Sequence, residues 1–441
     1  MLHCKTMALL SAAWLLPDQR PDAVEYVDDT ESELRCHVQS IEDLDRCEAV
    51  FPVVRDAWAT QVDGWGWYPP VPDDGVGGTD GFDIYIHTDA EGGAYVVGPY
   101  IDVDRTDDRM ASSSYMVIDP SISDEELPLY LAHEFNHALQ FATDFTEPTY
   151  VAWEASATWA EEATYPELSD LRYGVPSFQE VPWVGLLGDS DLLWNRFQIW
   201  SYFEYGAVMW LHHVEATYGA TPLDLWMSMT NPTWDNEPDF LDAIDAATGG
   251  WEQAVLQFAL ERPFVGRGDE APEWSRAAYD GDWARMRPED ELSALDEMSA
   301  PTHATYDLGT AYFLVNVGEV PVEFHYDGAS AVRWAVVLPA QGHIVEDGEA
   351  IILEESQIVG VVNLGPEGFD GDDTIRPRDL EVWLTEAELP ADTGDTGDAW
   401  VDTGETPGGG KGCACSARAQ APSPAWALAL LGLLALRRRE R

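Results

Sequence analysis

Apolar positions recur at helical spacing around Leu34, Val38, Ile41 and Leu44, then at Val50, Val53, Val54 and Trp58. This spacing predicts helix over residues 30–60, with Pro52 dividing it into two pieces. A Gly/Pro-rich stretch at residues 64–81 predicts a loop. Residues 82–86 (FDIYI) alternate as a strand does, and residues 94–97 and 114–118 predict two more. Leu131, Phe135 and Leu139 are four apart and form the buried stripe of a helix, which Ser123 and Glu126 would cap and in which Pro128 fits only the first turn. A second helix is predicted over residues 150–162, and a third, strongly apolar one over 196–219, closed by Gly219. Shorter helices follow at residues 223–229, 239–247 and 251–260. After Pro301 the texture changes. Short apolar or alternating runs at residues 312–317, 322–326, 332–338, 350–353, 358–364 and 380–384 are separated by Gly, Asp and Pro turns. They predict a small antiparallel β-sandwich. The expected class is therefore α+β: a small sheet with a helical subdomain over residues 25–295, then an accessory β-sandwich over 301–390.

Composition narrows the partners. The chain has 441 residues and a net charge of −58, and Lys5 and Lys411 are its only lysines. A surface of that sign repels nucleic acid and favours solubility. Acidic loops at residues 102–108 (DVDRTDD) and 370–373 (DGDD) are weak candidates for Ca²⁺, because neither has the full EF-hand spacing. Of the five cysteines, only Cys36 and Cys47 fall in the central body, and export would pair them as a disulfide.

Both ends point out of the cytoplasm. Residues 1–18 place an apolar run, Met7 to Leu16, after Lys5, and so resemble a secretory signal peptide without a clear small-residue cleavage site. Residues 391–412 repeat Asp-Thr-Gly and end in glycines, the composition of a solvated linker. Cys413, Cys415, the apolar run 425–436 and the closing arginines follow. Linker, cysteine, short apolar segment and arginine cluster together resemble the MYXO-CTERM sorting tail of certain Gram-negative bacteria. That resemblance implies recognition by sorting machinery or the membrane through residues 413–441, and a location at the cell surface, the outer membrane or outside the cell.

The chemistry concentrates in residues 131–140 (LAHEFNHALQ), which contain His133-Glu134-Phe135-Asn136-His137, an H-E-x-x-H pattern. Residues four apart share one helix face, so two imidazoles can meet one metal ion, with Glu134 beside them as a general base toward water. Two neutral His ligands, a third protein ligand and an open position are what hydrolytic zinc uses.

The pattern His133–His137 followed by residues 153–162 (WEASATWAEE) resembles the gluzincin metallopeptidases, and residues 66–86 resemble the segment before the zinc helix in a group of bacterial secreted metallopeptidases. The resemblance spans roughly residues 50–265 and implies a zincin-like fold, one catalytic Zn²⁺ and a peptide or protein substrate. It implies a third ligand from the next helix: Glu154, with sixteen residues between it and His137, or else Glu161 two turns further on. Whichever does not bind would orient an imidazole. Ala155 stands where the family usually has Gly, a small change that keeps the helix. The resemblance also implies an oxyanion-stabilising Tyr or His downstream, for which Tyr205, His212 and His213 are candidates. An adhesion protein on a peptidase fold and a zinc aminopeptidase are the alternatives.

Overall fold

In the computed structural model the described residues are 20–98, 109–199, 201–231, 233–346 and 348–387. The signal-like segment, the acidic loop 102–108, the linker and the sorting-like tail lie outside them. The described residues form one compact unit of mixed α and β structure with several small sheets. Among the described residues no helix is long and apolar enough to cross a membrane.

The first sheet has five strands: β1 (Glu25–Asp28), β2 (Leu34–Val38), β3 (Phe82–Ile86), β4 (Ala94–Val97) and β5 (Tyr115–Ile118), in the order β1-β2-β3-β5-β4. The three inner strands are parallel and the two edges antiparallel. Parallel pairing of β2 with β3 needs a crossover, which α1 (Leu44–Trp58) supplies. The strands at 82–86 and 94–97 match their predicted bounds. The helix expected over 30–60 does not hold at its start. Leu34 and Val38 belong to β2, whose five residues are all buried and which is paired on both edges. Two ladders and burial outweigh a fortuitous helical spacing. Pro52 does not break α1 either; it sits on the exposed side of the helix. Cys36 in β2 and Cys47 in α1 form a buried disulfide, with Cα atoms 5.7 Å apart. By loop entropy a closure of this length contributes about 3 kcal/mol.

From β5 the chain enters α2 (Leu127–Thr143), the helix that carries the H-E-x-x-H pattern. Ser123 and Glu126 pair, but one turn before the helix rather than as its capping box: the Ser123 hydroxyl donates to the Glu126 carboxylate (2.7 Å) and accepts from its backbone N–H (3.2 Å), while Glu126 itself is the residue before Leu127 and its side chain caps no helical N–H. α2 is buried more completely than a single stripe would make it, for every residue from 131 to 143 is buried. It lies at the centre of the main core, against α1 and α3 (Tyr150–Thr164), with Phe135 meeting Trp58 and Phe82. Ala155, Ser156 and Ala157 are buried on α3, where small side chains permit close helix packing.

The apolar stretch 196–219 is not one helix. It divides into the end of α5 (Ser190–Phe197), a short α6 (Phe203–Gly206) and α7 (Val208–Tyr218); α4 is Val175–Glu180. Gln198 ends α5 in a left-handed conformation (φ 58°). Gly206 then brings the backbone against Gly174, so closely that a Cβ on Gly206 would lie 2.3 Å from the Gly174 carbonyl oxygen. Gly219 closes α7 with φ 80°, as expected. α8 (Pro222–Met229), α9 (Phe240–Thr248) and α10 (Trp251–Glu261) follow close to their predicted bounds.

The C-terminal part is made of two sheets over one shared core. Five strands are ordered β11-β10-β13-β8-β6, namely β6 (Asp290–Leu292), β8 (Thr310–Val315), β10 (Trp334–Leu338), β11 (His343–Ile344) and β13 (Gln357–Asn363). Three more are ordered β12-β9-β15, namely β9 (Val322–Gly328), β12 (Ile351–Leu353) and β15 (Leu380–Glu386). β7 (Thr305–Tyr306) and β14 (Pro377–Arg378) form a separate ribbon. Phe313, Val336 and Val361 from the larger sheet bury themselves with Phe324, Val382 and Leu384 from the smaller. Two details differ from the expectation. β6 begins before residue 301 and pairs parallel with β8. The β part is also joined to the helices rather than set apart: Tyr306, Val337, Val362 and Leu364 enter the main core, and the Tyr312 hydroxyl donates to the Ala259 carbonyl at 2.7 Å.

Candidate metal centre

α2 and α3 bring His133, His137 and Glu154 together, with one ligand atom of each within 4.8 Å of the others. The Glu154 Oε2 atom lies 3.2 Å from His133 Nε2 and 3.5 Å from His137 Nε2. Zn–N and Zn–O bonds of ~2.0–2.1 Å in a tetrahedron separate ligand atoms by ~3.3 Å, so the two spacings to Glu154 suit one small cation. All three side chains are buried. His137 Nε2 and Glu154 Oε1 make no hydrogen bond, nor does Oε2 of Glu134. Three buried carboxylates, Glu134, Glu154 and Glu161, face only two imidazoles. Orphaned polar atoms and an excess of buried negative charge are costly without a cation. The residues present therefore fit a divalent metal. Among the described residues this is the one group of three or more His, Cys, Asp or Glu side chains gathered closely enough to hold an ion; the loop 370–373 gathers no such set.

Neighbouring side chains fix both imidazoles so that each presents Nε2. His137 Nδ1 donates to Gln140 Oε1 at 2.7 Å, and the Gln140 amide in turn donates to the Trp153 carbonyl on α3 at 3.0 Å. His133 Nδ1 faces Glu161 Oε2 at 3.5 Å. Glu161 thus sits behind His133, while Glu154 lies between the two imidazoles. Partners of this kind set the tautomer and the ring orientation of metal-binding histidines. A Glu161→Gln variant is expected to bind zinc 10–100-fold more weakly, at about the cost of losing an orienting carboxylate. Competition against a chromophoric chelator measures this, and an unchanged affinity contradicts the orienting role.

One further side chain supports α2 from outside the helix. Gln61, in a wide π-helical turn at Ala59–Trp65, donates to the Ala132 carbonyl at 2.9 Å and accepts from the Asn136 amide at 3.1 Å. Neither Gln61 nor Gln140 stood out in the sequence. Gln140 had a signal, since it lies three residues beyond His137 on the same helix face.

The site's electrostatics follow from burial. Burial pushes the Glu134 carboxyl up, with His137 and His133 opposing. For Glu154, burial would raise the carboxyl, but the adjacent imidazoles of His137 and His133 overcome it and hold the group well below the usual carboxylate range. For His133, burial disfavours the cation, yet bonding to Glu154 and Glu161 raises it well above the ordinary value. A metal ion competes with that proton, so metal binding and proton release are linked.

A cavity of about 120 Å³ opens beside His133 and Glu134, and Leu129, Tyr130, Tyr173, Tyr202 and Tyr205 form its walls. The Tyr205 ring stacks on His133 at 5.6 Å with 17° between planes. The other two candidates for a downstream donor are elsewhere. His212 meets the Tyr279 hydroxyl at 2.6 Å and Glu162 at 3.2 Å. His213 is buried on Trp210 and faces Glu261 at 3.2 Å. Neither lines the cavity, because α7 turns both toward the residue 261–279 region instead. Next to Tyr205, Glu204 is fully buried and accepts from the Ser190 hydroxyl at 2.9 Å, and burial pushes it up to about 8. No protein-family model matches the chain, and no curated protein matches it at a meaningful level of similarity.

Proposed function

We propose that this chain is an exported zinc-dependent metalloendopeptidase with a zincin-like catalytic core. The observation that carries the reading is the His133, His137 and Glu154 cluster, with an unpaired buried Glu134 oxygen beside it. His133 and His137 would hold the ion through Nε2 and Glu154 through a carboxylate oxygen, with Glu161 and Gln140 holding the rings in place. Zn²⁺ in such a site supplies Lewis acidity toward a carbonyl and lowers the pKa of a water. Glu134 takes the proton from the attacking water and delivers it to the leaving amine, a role to which a buried carboxyl with raised proton affinity is suited. Tyr205, stacked on His133 at the cavity wall, is the residue we assign to the developing oxyanion.

The Cys36–Cys47 disulfide favours an oxidising compartment, in line with the signal-like and sorting-like ends. On this reading the mature protein works at the cell surface or outside the cell, on peptide or protein substrates. Cleavage of a denatured protein by the purified chain, abolished by a chelator, is the expected result. Cleavage that continues undiminished after metal removal contradicts the proposal.

A further inference from the structure

The cavity beside the metal centre has an unusual composition. Four of its walls are tyrosines, Tyr130, Tyr173, Tyr202 and Tyr205. Three of these form a cluster, with ring centroids 5.9 Å apart for each pair and planes inclined by 64° to 87°. The cavity is graded from end to end. On α2 the lining residues Glu126, Leu129, Tyr130, His133 and Glu134 share one helix face, so this wall runs two turns from the exposed Glu126 to the buried Glu134; the exposed Asp170 and the buried Glu161 complete the acidic lining. Among the described residues, no lysine or arginine lines it. At about 120 Å³ it has room for one side chain rather than for a whole small-molecule ligand.

These features select a particular shape and charge. Aromatic walls take an aliphatic stem, and their faces attract a cation. Carboxylates at the far end accept charge-assisted hydrogen bonds from an ammonium or guanidinium group. A side chain that starts at the reacting carbonyl near Glu134 and runs outward would lay its stem on the tyrosines and carry its head toward the exposed carboxylates of the lining, Glu126 and Asp170. A carboxylate side chain would meet only like charge. Asp170 has one basic neighbour: Arg172 Nε lies 3.8 Å from its Oδ1, but both side chains are about two-thirds exposed, so the pairing is weak. Glu126 is held by Ser123 at the start of α2, which fixes it at the rim. The net charge of −58 adds a long-range field that draws cationic substrates in.

We propose that this cavity is a specificity subsite for a lysine or arginine side chain flanking the scissile bond. The proposal rests on the peptidase reading and specifies the substrate class of that site.

The test compares peptides that differ at one residue beside the cleaved bond: lysine, norleucine and glutamate. Norleucine keeps the four-carbon stem and lacks the charge. We expect kcat/KM for lysine to exceed that for norleucine by about tenfold at low salt, to fall toward it as ionic strength rises, and to exceed glutamate by more. The Asp170→Asn/Glu126→Gln double variant is expected to bring lysine and norleucine within about threefold of each other. Norleucine cleaved as well as lysine by the unaltered protein overturns the subsite while leaving the peptidase reading intact. If no peptide is cleaved, the peptidase reading fails, and the cavity is judged by binding alone. Ligand-observed NMR with n-butylammonium and n-butanol then applies. Preferential binding of the cation, lost in the double variant, supports the cation site; equal binding of both, or of neither, overturns it.

Discussion

Glu134→Gln is expected to retain one zinc per chain and to lower peptide hydrolysis by between about 10² and 10⁴-fold, the usual worth of a positioned general base. Glu134 lies between His133 and His137 in sequence but is not in the set of converging ligand atoms, so its loss leaves the metal set whole. Glutamine has nearly the same shape and can occupy the same buried volume, but it cannot take up a proton. One carboxylate oxygen, Oε2, has no protein partner to lose. Folding is thus expected to survive, which a thermal melt of the variant checks. Metal analysis and kinetics on one preparation separate the two effects. Retained activity removes Glu134 from the mechanism, whereas lost zinc moves it into the metal set.

Glu154→Ala is expected to do the opposite. It removes the oxygen that lies 3.2 Å and 3.5 Å from the two Nε2 atoms and leaves both of those atoms without their shared carboxylate in a buried site. Zinc affinity is expected to fall by more than about 100-fold, beyond the cost of an orienting carboxylate, and hydrolysis with it. The comparison with Glu161→Gln is the sharper test, since both glutamates come from α3 and both touch His133. An order of loss with Glu154 well above Glu161 fits Glu154 as ligand and Glu161 as the residue behind the ring. The reverse order exchanges the roles.

Legibility in the sequence followed the range of the interactions. The two histidines were readable because a helix repeats every 3.6 residues, and the α2 and α3 segments carry strong local signals. Glu154 and Glu161 were both visible as candidates. Their positions relative to the two rings, Glu154 between them and Glu161 behind His133, come from the packing of α3 on α2, which no spacing encodes. The break at Gly206 was hidden because its cause, the approach of Gly174, lies 32 residues earlier. Residues 34–38 misled because three- and four-residue gaps between apolar positions mimic a helix, and the ladders to β1 and β3 that decide the matter are non-local. The tyrosine cavity was illegible for the same reason, as its walls come from α2, the 170–173 turn and the start of α6. The β strands after residue 301 were legible because each is short, apolar and bracketed by turn residues, whereas their fusion with the helical core through Tyr306 and Val362 was not.

Anomalous diffraction at the zinc edge from crystals of the zinc-loaded protein tests the central claim most directly. A single peak within ~2.0–2.2 Å of His133 Nε2, His137 Nε2 and a Glu154 carboxylate oxygen is the predicted result. A peak held by Glu161 instead of Glu154, or no peak at these residues in crystals that contain zinc, would contradict it.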